Sequence, residues 1–72
     1  MYTVVGYDKD NDVYIKYATY SVEIFAYMKA DELFSEVKRG DLRRKDNGEP
    51  IDWIIIYENY GDPDEKVIKT YM

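Results

Sequence analysis

The chain begins and ends with stretches in which β-branched and aromatic side chains dominate, each interrupted by a turn-forming segment. Residues 2–7 and 13–19 are rich in Val, Ile, Thr and Tyr, and the segment between them reads Asp-Lys-Asp-Asn-Asp. Residues 52–60 and 66–71 have the same character and flank the segment Gly-Asp-Pro-Asp-Glu. Short segments of this composition connect neighbouring strands, so the pattern predicts one β-hairpin at each end of the chain.

Residues 22–39, in the middle of the chain, show the periodicity of an amphipathic helix. One side of the helical wheel is apolar, with Tyr27 at its margin, and is formed by Val22, Ala26, Ala30, Leu33, Phe34 and Val37. The opposite side is polar and carries Glu32, Ser35, Glu36 and Arg39. Ser21 can cap the start of this helix, and Gly40 can supply the left-handed residue that ends it. A helix of about five turns is therefore predicted.

Three apolar residues, Ile24, Phe25 and Met28, fall on the side of this helix that should be polar. Either the helix buries a second side against a partner or the long loop that follows, or residues 20–28 form a third strand. In the strand interpretation Asp31 caps a short helix, and the inward side chains are those of Tyr20, Val22, Ile24, Ala26 and Met28. The order ββαββ needs only short connections apart from one loop, which favours the long helix.

We therefore predict a single α+β domain over residues 1–72, with an antiparallel four-stranded sheet and one helix packed on one face. Residues 41–50 contain Asn-Gly and Pro without an apolar period and are predicted to form the long loop. Residues 53–57 read Trp-Ile-Ile-Ile-Tyr, which indicates a strand buried on both faces. Because one helix covers only one face, the other face needs a dimer partner, a target protein or the long loop as its cover.

The length of the chain limits the stability that its core can supply, and the length of its apolar runs bears on its location. A chain of 72 residues buries only about 60% of the surface that its unfolded form exposes, so we expect added stability from self-association into a homodimer. The longest apolar run, residues 53–57, is far short of the roughly 20 residues that span a bilayer, and the strand-like N-terminus shows no signal-peptide pattern. We expect a cytoplasmic protein without a membrane partner.

The residue types present argue against catalysis. The chain has neither cysteine nor histidine, which removes thiolate metal sites and the commonest general base. No serine stands in a nucleophile motif, and no glycine pattern resembles a phosphate-binding loop. Five carboxylates are interpreted as solvation of turns and strand ends, because so small a domain has little room for a cleft; they are Asp52, Glu58, Asp62, Asp64 and Glu65. We predict a protein that is not an enzyme and has no cofactor.

Asp8, Asp10 and Asp12 alternate in the way that the first ligands of an EF-hand calcium loop do. Position 6 of such a loop requires glycine and is Val13 here, and position 12 requires glutamate and is Thr19. An EF-hand is therefore excluded, and the segment is interpreted as a solvated hairpin turn without a metal.

Charge is segregated along the chain, which has a net charge of -5 from 15 acidic and 10 basic residues. Residues 38–45 hold five basic residues and one acidic residue, a sum of +4, which leaves -9 for the remainder. The basic residues are Lys38, Arg39, Arg43, Arg44 and Lys45. They are favourably placed at the negative end of a helix, or alternatively contact phosphate or an acidic partner. The acidic remainder disfavours direct nucleic-acid binding and favours a basic, DNA-binding protein as the partner.

Nine tyrosines indicate a contact surface, because the ring buries apolar area while the hydroxyl stays hydrogen-bonded to water or a partner. Because side chains alternate along a strand, Tyr2 and Tyr7 are expected on opposite faces of one strand, and Tyr14 and Tyr17 on opposite faces of the next. Carboxylates among tyrosines on an exposed sheet face could mimic the negative charges of DNA phosphates and so be recognised by a DNA-binding protein. The high strand propensity of tyrosine is the alternative explanation. The residues predicted to bind the partner are Asp10, Asp12, Tyr14, Tyr17, Tyr57, Glu58, Tyr60 and Asp62.

Residues 53–61 read Trp-Ile-Ile-Ile-Tyr-Glu-Asn-Tyr-Gly, and residues 66–69 read Lys-Val-Ile-Lys. A Trp-led apolar strand, an Asn/Gly turn and a Lys-x-x-Lys return resemble the terminal hairpin of one family of uracil-DNA glycosylase inhibitors. That family begins with a helix, whereas this chain begins with a hairpin. Its Glu-Ser-Ile contact motif has no counterpart beyond Val22-Glu23-Ile24, so no functional residue is carried over.

More broadly, the chain resembles the small acidic inhibitors of bacteriophages and mobile elements, among them anti-CRISPR proteins. This resemblance implies a non-catalytic protein that inhibits a host nucleic-acid enzyme or defence factor through an acidic, tyrosine-rich surface. Two alternatives stay open: a homodimeric accessory protein, and a weak nucleic-acid binder that uses residues 38–45.

Overall fold

The computed structural model describes residues 1–72 and has the element order ββαββ. The strands and the helix are β1 (Tyr2–Asp8), β2 (Val13–Tyr20), α1 (Glu23–Arg39), β3 (Trp53–Glu58) and β4 (Lys66–Tyr71). All strand pairs are antiparallel, and their order across the sheet is β2-β1-β3-β4. The predicted α+β architecture, with two hairpins and one helix on a four-stranded sheet, is confirmed. No helix is long and apolar enough to cross a lipid bilayer.

The two hairpins join through β1 and β3, which lie side by side in the centre of the sheet. Tyr2 pairs with Glu58 at one end of this ladder, and Tyr7 pairs with Trp53 at the other end. Since the two strands are antiparallel, the β1–β2 turn and the β3–β4 turn lie at opposite ends of the sheet. The strands β2 and β4 form its two edges.

The long-helix interpretation of the middle segment is correct, and the strand over residues 20–28 is not formed. The predicted cap is wrong: Val22, with an extended backbone, occupies the cap position, so no side-chain oxygen caps the helix. The predicted stop is confirmed, because Gly40 adopts a left-handed conformation with φ 76° and donates its N–H to the carbonyl of Val37.

The main core lies between α1 and the sheet. From the helix, Ala26, Ala30 and Leu33 are buried, and the small alanines allow the helix to approach the strands. The sheet and the loop complete this core with Val4, Ile51, Ile54 and Ile56, and partly buried helix residues Tyr27, Phe34 and Val37 pack against it. The predicted apolar side is therefore correct except for Val22, which is exposed because it lies at the cap, before the first helical turn.

The three apolar residues on the other side of α1 have no cover. Ile24, Phe25 and Met28 are 58%, 51% and 61% exposed, and the ring of Phe25 contacts only the edge of the core through Tyr20, at 6.4 Å between centroids. The long loop does not bury them, because its apolar residues Leu42 and Ile51 pack against the main core instead.

The predicted loop after α1 returns along the sheet in an ordered way. Ile51 is 2% exposed, and its N–H bonds the carbonyl of Leu42. The N–H of Asp52 then bonds the carbonyl of Tyr7, at 2.9 Å, which starts the pairing of β1 with β3. A core residue inside an aperiodic segment was not predicted, since a single isoleucine leaves no period.

Gly6, in the middle of β1, permits a close approach of side chains above the sheet. A Cβ atom added at this position would lie 2.5 Å from Cε2 of Tyr17 and 3.1 Å from Cγ2 of Ile51. Any larger residue therefore forces the Tyr17 ring or the loop away from the sheet.

We expect Gly6→Ala to lower the free energy of unfolding by about 1–3 kcal/mol, because the added methyl group overpacks this contact. Chemical denaturation of Gly6→Ala, Tyr17→Leu and the double variant measures the effect as a cycle. The smaller leucine should relieve part of the clash, so the double variant should lose less than the sum of the single variants. Strict additivity would contradict the clash.

Candidate functional site

The sheet face turned away from α1 carries a second buried cluster. Val5, Ile55 and Tyr57 are 0%, 6% and 8% exposed, and the rings of Tyr7 and Tyr60 pack against them. The prediction that β3 is buried on both faces is confirmed. The long loop is not the cover of this face, because its Leu42 and Ile51 pack against the main core. The rings of Tyr7 and Tyr60 of the same chain pack on the cluster, and cover by a partner stays a prediction.

Cross-strand pairing sets the aromatic rings of this face side by side. Tyr7 of β1 pairs with Tyr14 of β2 and with Trp53 of β3, and its ring lies 4.5 Å and 5.3 Å from theirs between centroids. The rings of Tyr57 and Tyr60 lie 4.9 Å apart. All three contacts are tilted, a geometry that aromatic pairs favour. We call these five residues the tyrosine face.

An open groove of about 430 Å³ crosses the tyrosine face. Its walls are Tyr14, which is 48% exposed, Tyr57, Tyr60 and the adjoining turn residues Gly61 and Glu65. The carboxylate of Glu65 accepts a hydrogen bond from the N–H of Gly61, at 2.8 Å, and so keeps the turn closed. The groove offers apolar ring surface together with hydroxyl groups, which suits a side chain from another protein.

Acidic turns lie at both ends of the tyrosine face. The β1–β2 turn carries the exposed residues Asp10 and Asp12, and the carboxylate of Asp12 accepts a 2.6 Å hydrogen bond from the hydroxyl of Tyr7. The β3–β4 turn at the other end carries the exposed Asp62. Of the residues predicted to bind a partner, the structure therefore places Tyr14, Tyr57, Tyr60, Asp10, Asp12 and Asp62 on this face or at its ends.

Two of the predicted residues lie elsewhere. Tyr17 is on the helix side of β2, packed against the main core above Gly6, and burial raises the pKa of its hydroxyl. Glu58 follows Tyr57 in β3 and so points to the opposite face, where it lies 3.6 Å from the ammonium group of Lys66. Strand alternation excludes both residues from the tyrosine face.

The nine tyrosines divide between the two sides of the sheet. Tyr7, Tyr14, Tyr57 and Tyr60 belong to the tyrosine face, and Tyr2, Tyr17, Tyr20, Tyr27 and Tyr71 pack against the main core. Sequence reasoning missed Tyr7 and Trp53 as members of the face. The parity of Tyr7 within β1 was a usable signal, but its neighbours depend on the β1–β3 register.

The β1–β2 turn is held by a buried ion pair rather than by solvent. Asp8 is 1% exposed and accepts hydrogen bonds from the N–H and the side-chain amide of Asn11 and from Nη1 of Arg44, the last at 3.1 Å. Arg44 pairs at the same time with Asp46. The interpretation of Asp8 as part of a solvated turn is wrong, because Arg44 folds over it from the long loop.

Carboxylate oxygens of Asp8, Asp10 and Asp52 lie within 4.8 Å of one another, the distance at which three such groups can share a cation. The guanidinium of Arg44 already pairs with the carboxylate of Asp8. A carboxylate oxygen of Asp52 accepts a hydrogen bond from the main-chain N–H of Lys9, at 3.0 Å. The cluster is therefore explained by the hydrogen bonds that tie the turn to the loop.

No protein-family model, curated protein sequence or solved structure matches this chain. The site is therefore interpreted from its geometry. It combines ordered aromatic rings, available hydroxyl groups and peripheral carboxylates, which together can make apolar contacts, hydrogen bonds and charge pairs with a macromolecular partner.

The hydrogen bond from Tyr7 to Asp12 predicts an unusual titration. This bond, with burial as the second cause, raises the pKa of Tyr7 to about 12. In Asp12→Asn the acceptor loses its charge, so we expect the pKa of Tyr7 to fall. NMR titration of ring-labelled tyrosine in the wild type and in the variant measures the change. An unchanged Tyr7 titration in the variant would contradict the bond.

The Asp8 cluster predicts a loss of stability in acid. Hydrogen bonds from Asn11, and after them Arg44, hold the pKa of Asp8 below its ordinary value of 3.8 against the opposing effect of burial. A lowered pKa in the folded state stabilises the fold above the ordinary value, and this stabilisation disappears as the pH falls through the folded-state value.

We therefore expect the thermal midpoint to fall as the pH drops below about 5, and to fall less steeply in Asp8→Asn, which is already less stable at neutral pH because Arg44 loses its buried partner. Asp62→Asn, at an exposed turn, is the matched control and should keep the wild-type slope. Equal slopes in wild type and Asp8→Asn would show that another carboxylate is responsible.

Proposed function

We propose that this protein is a non-catalytic protein-binding module and that the tyrosine face is its contact surface. The observation that carries this proposal is an aromatic surface, packed over its own buried cluster, on the side of the sheet that neither α1 nor the long loop covers. Helix and loop both pack on the opposite side, so a partner can approach the whole face.

The arrangement of the rings supports the proposal energetically. Tyrosine supplies a large apolar area with few rotatable bonds, and rings that already pack on one another lose little further freedom when a partner binds. Tyr14 lines the groove and is half-exposed, and the ring of Tyr60, which also lines it, packs beside Tyr57, so these two have both accessible area and a supported position. Such residues dominate binding energy in protein interfaces.

The charges around the face suggest the chemistry of the partner. A net charge of -5 and acidic turns at both ends of an aromatic surface complement a basic protein. We propose that the partner is a nucleic-acid enzyme or defence factor, and that the acidic ends of the face occupy positions where that partner binds phosphates. Binding would then inhibit it, as the resemblance to phage and mobile-element inhibitors implies.

A pulldown from a bacterial lysate, with this protein immobilised, tests the charge part of the proposal. A nucleic-acid-binding protein should be retained and then released by salt or by duplex DNA. The variant Asp10→Lys/Asp62→Lys reverses one charge at each end of the face and should reduce retention by at least about tenfold. The variant Glu32→Lys/Asp41→Lys makes the same charge change at exposed positions on the helix side and should retain the partner.

The variant Tyr14→Ser/Tyr60→Ser tests the aromatic part and should also reduce retention by at least about tenfold. If the tyrosine variant retains the partner as well as the wild type does, the tyrosine face is not the contact surface. If both charge variants lose the partner equally, the acidic ends of the face make no specific electrostatic contribution. A stable dimer in sedimentation, lost on the tyrosine changes, would instead assign the face to self-association.

A further inference from the structure

A second groove, of about 560 Å³, lies on another side of the molecule, between β2 and the loop that follows α1. The groove is lined on one side by Val13, Ile15, Lys16 and Tyr17 of β2 and on the other side by residues 42–46. We call it the edge groove. It shares no residue with the tyrosine face.

The edge groove follows the open edge of the sheet. The strand β2 pairs with β1 on one side only, and none of the main-chain hydrogen bonds of the long loop reaches β2. Neighbouring residues of a strand point to opposite faces, so a groove that contacts both Ile15 and Lys16 runs along the strand edge. The unpaired N–H and C=O groups of β2 are therefore accessible from it.

The charge of the edge groove is opposite to that of the rest of the chain. Its lining has four basic residues and one acidic residue, a sum of +3, in a chain of net charge -5. Asp46, the acidic residue, is paired with Arg44. The exposed side chains of Lys16, Arg43 and Lys45 make no ion pair with any carboxylate.

The floor of the edge groove is apolar. Val13, Ile15 and Leu42 are half-buried, and the last two pack against the main core, which gives the floor a fixed position. An occupant that matches the groove thus has apolar side chains for the floor, carboxylates for the rim and a main chain that can pair with a strand edge.

We propose that the edge groove binds an acidic, extended peptide segment of another protein, which adds to β2 as a fifth strand. Main-chain hydrogen bonds to β2 hold the segment, apolar side chains rest on Ile15 and Leu42, and carboxylates reach Lys16, Arg43 and Lys45. A nucleic acid matches the charge but has no alternating N–H and C=O groups for the strand edge. This site is independent of the proposed tyrosine-face contact.

Fluorescence anisotropy tests the proposal with a dye-labelled peptide of about ten residues in which glutamates alternate with valine and leucine. The wild-type protein should bind it at low salt, and Lys45→Glu should weaken binding by at least about tenfold. Lys38→Glu makes the same charge change in the same basic segment but outside the groove, beside the Phe34 ring, and should change the affinity by less than about twofold.

Two further measurements test the strand pairing. The same peptide, N-methylated at alternate residues so that it cannot donate hydrogen bonds on one edge, should bind at least about tenfold more weakly. Amide resonances of residues 13–17 and 42–46 should shift on titration with the unmodified peptide, while those of Trp53, Tyr57 and Tyr60, which lie on or just after β3 and away from the groove, should not.

Several outcomes would overturn the proposal: no binding of the peptide at low salt, equal losses in Lys45→Glu and Lys38→Glu, or unchanged affinity of the N-methylated peptide. Displacement of the peptide by a short single-stranded oligonucleotide of equal charge at equal concentration would assign the groove to nucleic acid. Displacement by excess unlabelled protein, with a dimer in sedimentation, would assign it to a second copy of the chain.

Discussion

The antiparallel pairing of β1 with β3 is the contact on which the remaining structure depends. It joins two hairpins that are each local in the sequence, and it places both strands in the centre of the sheet. Side chains of central strands are buried on both faces, so Val4 and Ile54 enter the core beneath α1 while Val5 and Ile55 form the cluster on the other side. Without this pairing each hairpin would have one poorly covered face, which is marginal in water.

Two different layers cover the central strands. On one face a helix with small residues, Ala26 and Ala30, packs closely, and its backbone hydrogen bonds are satisfied within the helix. On the other face the rings of Tyr7 and Tyr60 serve as the layer, packed against the cluster of Val5, Ile55 and Tyr57. The second layer is apolar enough to bury the strands and polar enough to meet water or a partner, which is the physical basis of the proposed contact.

The remaining surface has a basic region along the edge of β2 and acidic regions at the turns. Arg44, within the basic segment of residues 38–45, pairs with the buried Asp8 and so ties the β1–β2 turn to the long loop. The neighbouring Arg43 and Lys45 keep exposed charges along the edge of β2, while the acidic turns lie at the ends of the tyrosine face. One buried ion pair thus holds the loop that shapes the edge groove and also fixes one acidic end of the tyrosine face.

The sequence alone determined the two hairpins, the helix and its stop at Gly40, because strand alternation, helical period and turn chemistry act over a few residues. Only the tertiary structure decided which rings meet across strands, which tyrosines face away from α1 and that Asp8 is buried. These outcomes depend on the β1–β3 register and on a loop contact spanning 36 residues, from Asp8 to Arg44. Neither leaves a period or a motif in the chain, since each joins residues that are distant in sequence and adjacent only once the sheet has formed.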